Sequence, residues 1–174
     1  MAWRHGPSGL FFAAGVSLLM LAAPPAEARE IVEFPDYRYR PGTIVIRTAE
    51  RKLYFIAAPG QALRYTIAVG KAGKAWTGVK YVEELQVEPA WSPPASVKRD
   101  NPRLPDVIPG GAPNNPMGVA VIGLGPGGEY AIHGTNNPRS VGTAASYGCF
   151  RMHNRDIIDL YARVRMGTPV VVLP

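Results

Sequence analysis

The chain of 174 residues contains one cysteine, Cys149. No intramolecular disulfide can form, and a zinc site built on several thiolates is excluded. Apolar runs are short. The longest, residues 10–23, is broken by Gly15 and Ser17, and a spanning helix needs about twenty apolar residues. Charge is sparse at 18% and never gathers into a block; the densest basic pairs are Arg51-Lys52 and Lys98-Arg99. A formal charge of +6 spread this way suits an anionic partner without forming a nucleic-acid stripe, so no nucleic acid is expected. Heptads, internal repeats, low-complexity tails and Gly-rich phosphate loops are all missing. Coiled coils and nucleotide-binding folds have no support.

Turn residues are abundant: 19 Gly and 18 Pro make up about a fifth of the chain, against 47% hydrophobic residues. That composition favours many short strands over a helix bundle. The first residues stand apart. Arg4 and His5 precede the apolar run, and Pro24-Pro25 and the small-x-small triplet Ala26-Glu27-Ala28 follow it. This is the form of a signal peptide over residues 1–28, cleaved after Ala28, which places the mature protein in the periplasm or cell envelope without stable membrane insertion. No cysteine lies near that point to carry a lipid anchor. The expected organisation is a lead-in over 29–42 and one domain over 43–174.

Strand signals fall at residues 43–47, 52–57, 63–69, 79–87, 119–124, 130–132 and 169–173, separated by Pro41-Gly42, Pro59-Gly60 and Gly125-Pro126-Gly127-Gly128. The first three read as an antiparallel meander. Residues 89–116 carry eight prolines and no apolar period, which reads as a long loop acting as a lid on the site. Within it Trp91 could stack on a ligand or pin the loop to the core. One helix is signalled after Cys149: Asn154 as N-cap, Asp156 in the first turn, an apolar face of Ile157, Ile158, Leu160, Tyr161 and Val164, and Gly167 as the stop. The fold class is therefore mostly β, with mixed sheets in a sandwich- or barrel-like arrangement and one prominent C-terminal helix after the reactive loop.

Two reactive groups stand out, Cys149 and His133. A free thiol is only a few per cent thiolate at neutral pH, so a cysteine nucleophile needs a base or cation beside it. Histidine is the obvious supplier, although a Cys and a His at this spacing carry little by themselves. Gly148 lets the backbone turn sharply and could aim the amides of Gly148 and Cys149 at one oxyanion. Alternatively, Cys149 is a small buried hydrophobe, or joins His133 and His153 as three zinc ligands.

The run His133-Gly134-Thr135, then Gly142, Ser146-Tyr147-Gly148-Cys149-Phe150-Arg151-Met152, Asp156, Leu160-Tyr161 and Gly167-Thr168-Pro169-Val170 resembles the YkuD-type L,D-transpeptidase catalytic domain. The resemblance extends over residues 43–173 and includes Val69-Gly70-Lys71. It implies that Cys149 attacks the third residue of a peptidoglycan stem peptide, with His133 as base and the Gly134 carbonyl orienting the imidazole. It implies donor and amine-acceptor stems as partners, no cofactor or metal, and a monomer. Arg151 then contacts a stem carboxylate or serves as a structural salt bridge or carbonyl clamp, and Ser146 and Tyr147 line the site, with Ser146 better suited to bonding the loop. Two departures stand out: Tyr147 where the family usually has His, and Trp76-Thr77-Gly78 where it has Thr-Pro-x-Gly, the second expected to change only a turn. Other readings are an L,D-carboxypeptidase and a catalytically silent, peptidoglycan-binding copy of the fold.

Overall fold

The computed structural model describes residue 1 and residues 30–174. The expected leader and its cleavage point lie outside the described residues. In chain order the elements are β1 (Glu30–Glu33), β2 (Ile44–Arg47), β3 (Lys52–Ala58), β4 (Gln61–Thr66), β5 (Val69–Gly70), β6 (Gly78–Val87), α1 (Ala95–Asp100), β7 (Ala120–Leu124), β8 (Tyr130–His133), β9 (Ala144–Ser146), β10 (Phe150–Arg151), α2 (Asn154–Tyr161) and β11 (Pro169–Leu173).

β2, β3 and β4 form the expected antiparallel meander. Alternate side chains on these strands divide between two cores, as a two-residue period requires. Ile44, Ile46, Leu53, Phe55, Leu63 and Tyr65 face the main core, which Ile122, Ile132, Phe150 and Met152 share. Val45, Tyr54, Ile56 and Ala62 face the other way and are covered by Phe34. The lead-in is therefore structural: Phe34 is 3% exposed, and β1 pairs with β4 at the sheet edge.

The large sheet runs β1-β4-β3-β2-β11-β6-β7-β8-β10. Several of its pairings join strands that no local turn connects. β11 inserts between β2, to which it is parallel, and β6, to which it is antiparallel. β10 lies parallel to β8, and β5 pairs separately with β9, also in parallel. The fold is mostly β with mixed sheets and one prominent helix near the C-terminus.

That helix departs from expectation in three respects. His153, not Asn154, is the capping residue, and it makes no side-chain capping bond. Asn154 instead accepts the Thr135 N–H through Oδ1 at 2.9 Å. Ile158 is 57% exposed, because Ile157, Leu160 and Tyr161, three and four positions apart, and the later Val164 share the core-facing side. The helix ends at Tyr161 because the chain is drawn onto β6: Val82 N–H donates to Thr168 O at 2.9 Å and Gly167 N–H to Val82 O at 2.7 Å.

Residues 89–116 are not a plain loop. Pro93-Pro94 leads into α1, which buries none of its side chains. The base of the segment is closed by reciprocal 2.8 Å backbone bonds between Trp91 and Ile108. Buried Asn115 reinforces it, donating to Pro89 O at 2.8 Å and Pro109 O at 2.9 Å. Trp91 thus belongs to the base of the segment and helps hold it shut.

Candidate active site

Strand register brings the reactive residues to one face. In the parallel β8–β10 pair, Phe150 lies opposite Ile132 and Arg151 opposite His133. Phe150 and Ile132 point into the core, at 1% and 0% exposure. Alternation therefore turns Ala131, His133, Cys149 and Arg151 to the opposite face. Neighbouring backbone completes the frame: Met152 N–H donates to His133 O at 2.8 Å, and Arg151 exchanges two backbone bonds with Ala68.

His133 is 2% exposed, and its Nδ1 lies 2.6 Å from Gly134 O. With Nδ1 as donor, Nε2 keeps a lone pair for a proton. Gly134 has no room for a side chain, since a Cβ would lie 2.3 Å from Asn154 Oδ1. Burial, and after it the charge of Arg151, pulls the imidazole down to about 4, against the weaker opposing pull of the Gly134, Pro116 and Met117 carbonyls. It is neutral at pH 7. The last two of those carbonyls lie where the Pro-rich segment runs toward β7, so that segment reaches the imidazole.

Cys149 is partly exposed as a residue. Burial around its sulfur pushes the thiol up, opposed by the Ala131 N–H and by Arg151. The resting pair is thus a neutral thiol and a neutral imidazole. Arg151 is half-buried, and burial lowers its own pKa. Its Nη1 lies 3.4 Å from Ser140 Oγ, while its buried Nε has no hydrogen-bond partner among the described residues. No carboxylate there pairs with it, which leaves the salt-bridge reading without a partner.

The loop before Cys149 is held from inside and outside. Ser146 is 1% exposed; its hydroxyl donates to Cys149 O at 2.5 Å and accepts Gly148 N–H at 3.1 Å. Ser146 thus bonds the loop, the better suited of its two expected roles. The Gly148 amide, expected to serve an oxyanion, is engaged by that hydroxyl in this structure. Gly148 has φ +123°, and a Cβ there would meet the Tyr130 ring at 2.7 Å. Trp76 stacks on Tyr130 with ring centroids 4.7 Å apart and donates its indole N–H to Gly148 O at 3.0 Å. The Trp76 departure therefore changes more than a turn, since it clamps the Cys149 loop.

Tyr147 is turned outward to the Pro-rich segment. Its hydroxyl donates to Asp100 Oδ2, at the end of α1. Lys71, whose backbone N–H donates to Ser146 O at 2.9 Å, sits 3.9 Å above the Tyr147 ring and 3.5 Å from the same Asp100 oxygen. Sequence reasoning missed Trp76, Lys71 and Asp100 as site residues; for Trp76 the available signal was its departure from the motif. His153 remains half-exposed at the start of α2. Among the described residues no group of three or more His, Cys, Asp or Glu side chains is placed to hold a metal ion.

Comparison with known proteins agrees with this geometry. The family model described as "L,D-transpeptidase catalytic domain" (YkuD) matches residues 41–172. The chain is 37% identical over 139 residues to "Probable L,D-transpeptidase ErfK/SrfK" of Salmonella typhimurium, covering 75% of this chain and 43% of that protein. It is 34% identical over 174 residues to "Probable L,D-transpeptidase YbiS" of Escherichia coli, covering 90% and 55%. The chain thus spans about half the length of these relatives. Among solved structures, L,D-transpeptidase 3 of Mycobacterium tuberculosis superposes with a TM-score of 0.58 at 12% identity, over 76% of this chain and 60% of that one. The catalytic domain of the E. faecium L,D-transpeptidase acylated by ertapenem superposes at 0.56 and 20% identity, over 75% and 95%. On the family match and these identities, the chain belongs to the YkuD family of L,D-transpeptidase catalytic domains.

Proposed function

We propose that the protein is a cysteine-dependent L,D-transpeptidase acting on peptidoglycan stem peptides. The observation that carries the reading is the shared face of Cys149, His133 and Arg151, with an imidazole oriented by Gly134 O and a guanidinium lacking a carboxylate partner. Cys149 Sγ attacks the carbonyl carbon of the third stem residue while His133 Nε2 takes the thiol proton. The C–N bond to the terminal D-alanine breaks, and the proton passes to the leaving amine. An acceptor amine then attacks the thioester: a new C–N bond forms, the S–C bond breaks, and the amine proton returns to sulfur through His133. The energy of the cleaved amide is kept in the thioester, so no ATP is consumed.

Cys149 N–H serves as the oxyanion donor in this scheme, since Gly148 N–H is held by Ser146. Arg151 favours the thiolate and receives a stem carboxylate, which a guanidinium recognises through paired N–H donors. The acceptor is the side-chain amine of another stem or a lysine of an envelope lipoprotein, and water in its place gives carboxypeptidase activity. The protein acts outside the cytoplasm. Incubation with purified disaccharide tetrapeptide followed by mass spectrometry tests the reading. Cross-linked dimer or tripeptide product is expected; unchanged tetrapeptide at every enzyme concentration overturns it.

A further inference from the structure

The contact between the Pro-rich segment and the Cys149 loop has the chemistry of a bound carboxylate. Asp100 Oδ2 receives the Tyr147 hydroxyl and the Lys71 ammonium together. One is a neutral donor and the other a cation, they converge on one oxygen, and Tyr147 stands two residues before Cys149. Asp100 ends α1, where a carboxylate meets the negative end of the helix dipole, so local helix energetics do not favour it there. Among the described residues, Asp100 supplies every polar side-chain contact that residues 92–107 make outside themselves. The base of the segment is closed independently by Trp91, Ile108 and Asn115. Asp100 could therefore leave without dismantling that base. Its side chain is 54% exposed and that of Lys71 is 42%, and ion pairs this open to solvent contribute little net stability. A carboxylate arriving from solution can compete with it.

We propose that Lys71 and Tyr147 form a carboxylate-binding subsite at the mouth of the Cys149 site, and that Asp100 fills it in the resting protein as a built-in competitor. The ligand class is a peptide with a free C-terminal carboxylate. The inference rests on the stem-peptide reading above and adds to it the residues that grip the donor's terminal carboxylate. It also gives Tyr147 a role that an imidazole base does not perform. The arrangement lowers the apparent affinity by the fraction of molecules in which Asp100 is displaced. Lys71 acts on both the internal and the external carboxylate, so its removal is partly masked while Asp100 is present.

The test uses N-acetyl-D-alanine and its carboxamide as probes on the purified protein, with binding followed by NMR shifts and tetrapeptide turnover measured separately. Asp100→Asn should bind the carboxylate at least about fivefold more tightly than wild type, with the carboxamide unchanged. Lys71→Met should then weaken carboxylate binding severalfold in the Asp100→Asn background and distinctly less in wild type, a non-additive cycle. Asp100→Ser, with circular dichroism as a folding control, should repeat the gain. The proposal is overturned if neither Asp100 variant gains affinity, if both probes gain equally, or if Lys71→Met costs the same in both backgrounds. Because the acetyl–D-alanine amide occupies the place of the scissile bond, the binding measurements are made in the Cys149→Ala background, where no acylation can occur; an unprocessed tetrapeptide counts against the transpeptidase reading alone.

Discussion

Trp76 donates its indole N–H to the carbonyl oxygen of Gly148 at 3.0 Å, tying the β5–β6 connection to the turn that presents Cys149. The same ring stacks on Tyr130, against which Gly148 is packed. The Cys149 loop is thus held by an aromatic wall on one side and by Ser146 on the other.

Trp76→Phe should keep most of the stack and lose the bond, lowering stability by about 1 kcal/mol and slowing acylation of Cys149 by more than it changes binding. Chemical denaturation and stopped-flow acylation would measure the two effects. An unchanged acylation rate would show that the indole bond does not position the loop.

Cys149→Ala should abolish turnover, and His133→Ala should reduce it at least about a hundredfold, the usual scale for loss of a general base. A carbapenem should add once to the wild-type protein and not to Cys149→Ala. Intact-mass spectrometry reads this directly, and an equal adduct on both proteins would remove Cys149 from the mechanism.

His133 makes the fold sensitive to acid. Its folded value of about 4 lies below the ordinary 6.5, so between those pH values the unfolded chain binds a proton that the folded chain refuses. Stability therefore falls as pH drops through that window, by on the order of 3 kcal/mol in total. His133→Gln should flatten this part of the profile in melts at pH 7, 5.5 and 4; a wild-type profile in the variant would refute the assignment.

Arg151 stabilises the Cys149 thiolate and disfavours the charged imidazole. Arg151→Ala should move iodoacetamide alkylation of Cys149 to higher pH, and Arg151→Lys should recover part of the shift. It should also raise KM for tetrapeptide if the guanidinium meets a stem carboxylate. Alkylation profiles that coincide in all three proteins would contradict the charge coupling.

We propose that the protein is exported and that its mature form begins at Arg29, after the small-x-small triplet ending at Ala28. N-terminal sequencing of material from the cell envelope checks this. Recovery of Met1 from a membrane fraction would replace the leader with an anchor.

The family was legible in the sequence because the residues that carry its motif are few and close together. One cysteine and three histidines leave few pairings, and the motif falls in one short stretch, as His133-Gly134-Thr135, Gly142 and the run from Ser146 to Met152. The meander was legible too, since a two-residue apolar alternation between Pro-Gly turns depends only on local sterics and burial. The site's fastenings were not. Trp76 reaches Gly148 over 72 positions, Tyr147 reaches Asp100 over 47, and Lys71 reaches Asp100 over 29. No local propensity encodes such contacts, because they arise only when β11 closes the sheet and β10 aligns beside β8. Protonation follows the same division. The identity of the imidazole and the thiol is written in the chain, but their neutral resting state comes from the burial that folding imposes, which the Arg151 charge reinforces at the imidazole and opposes at the thiol.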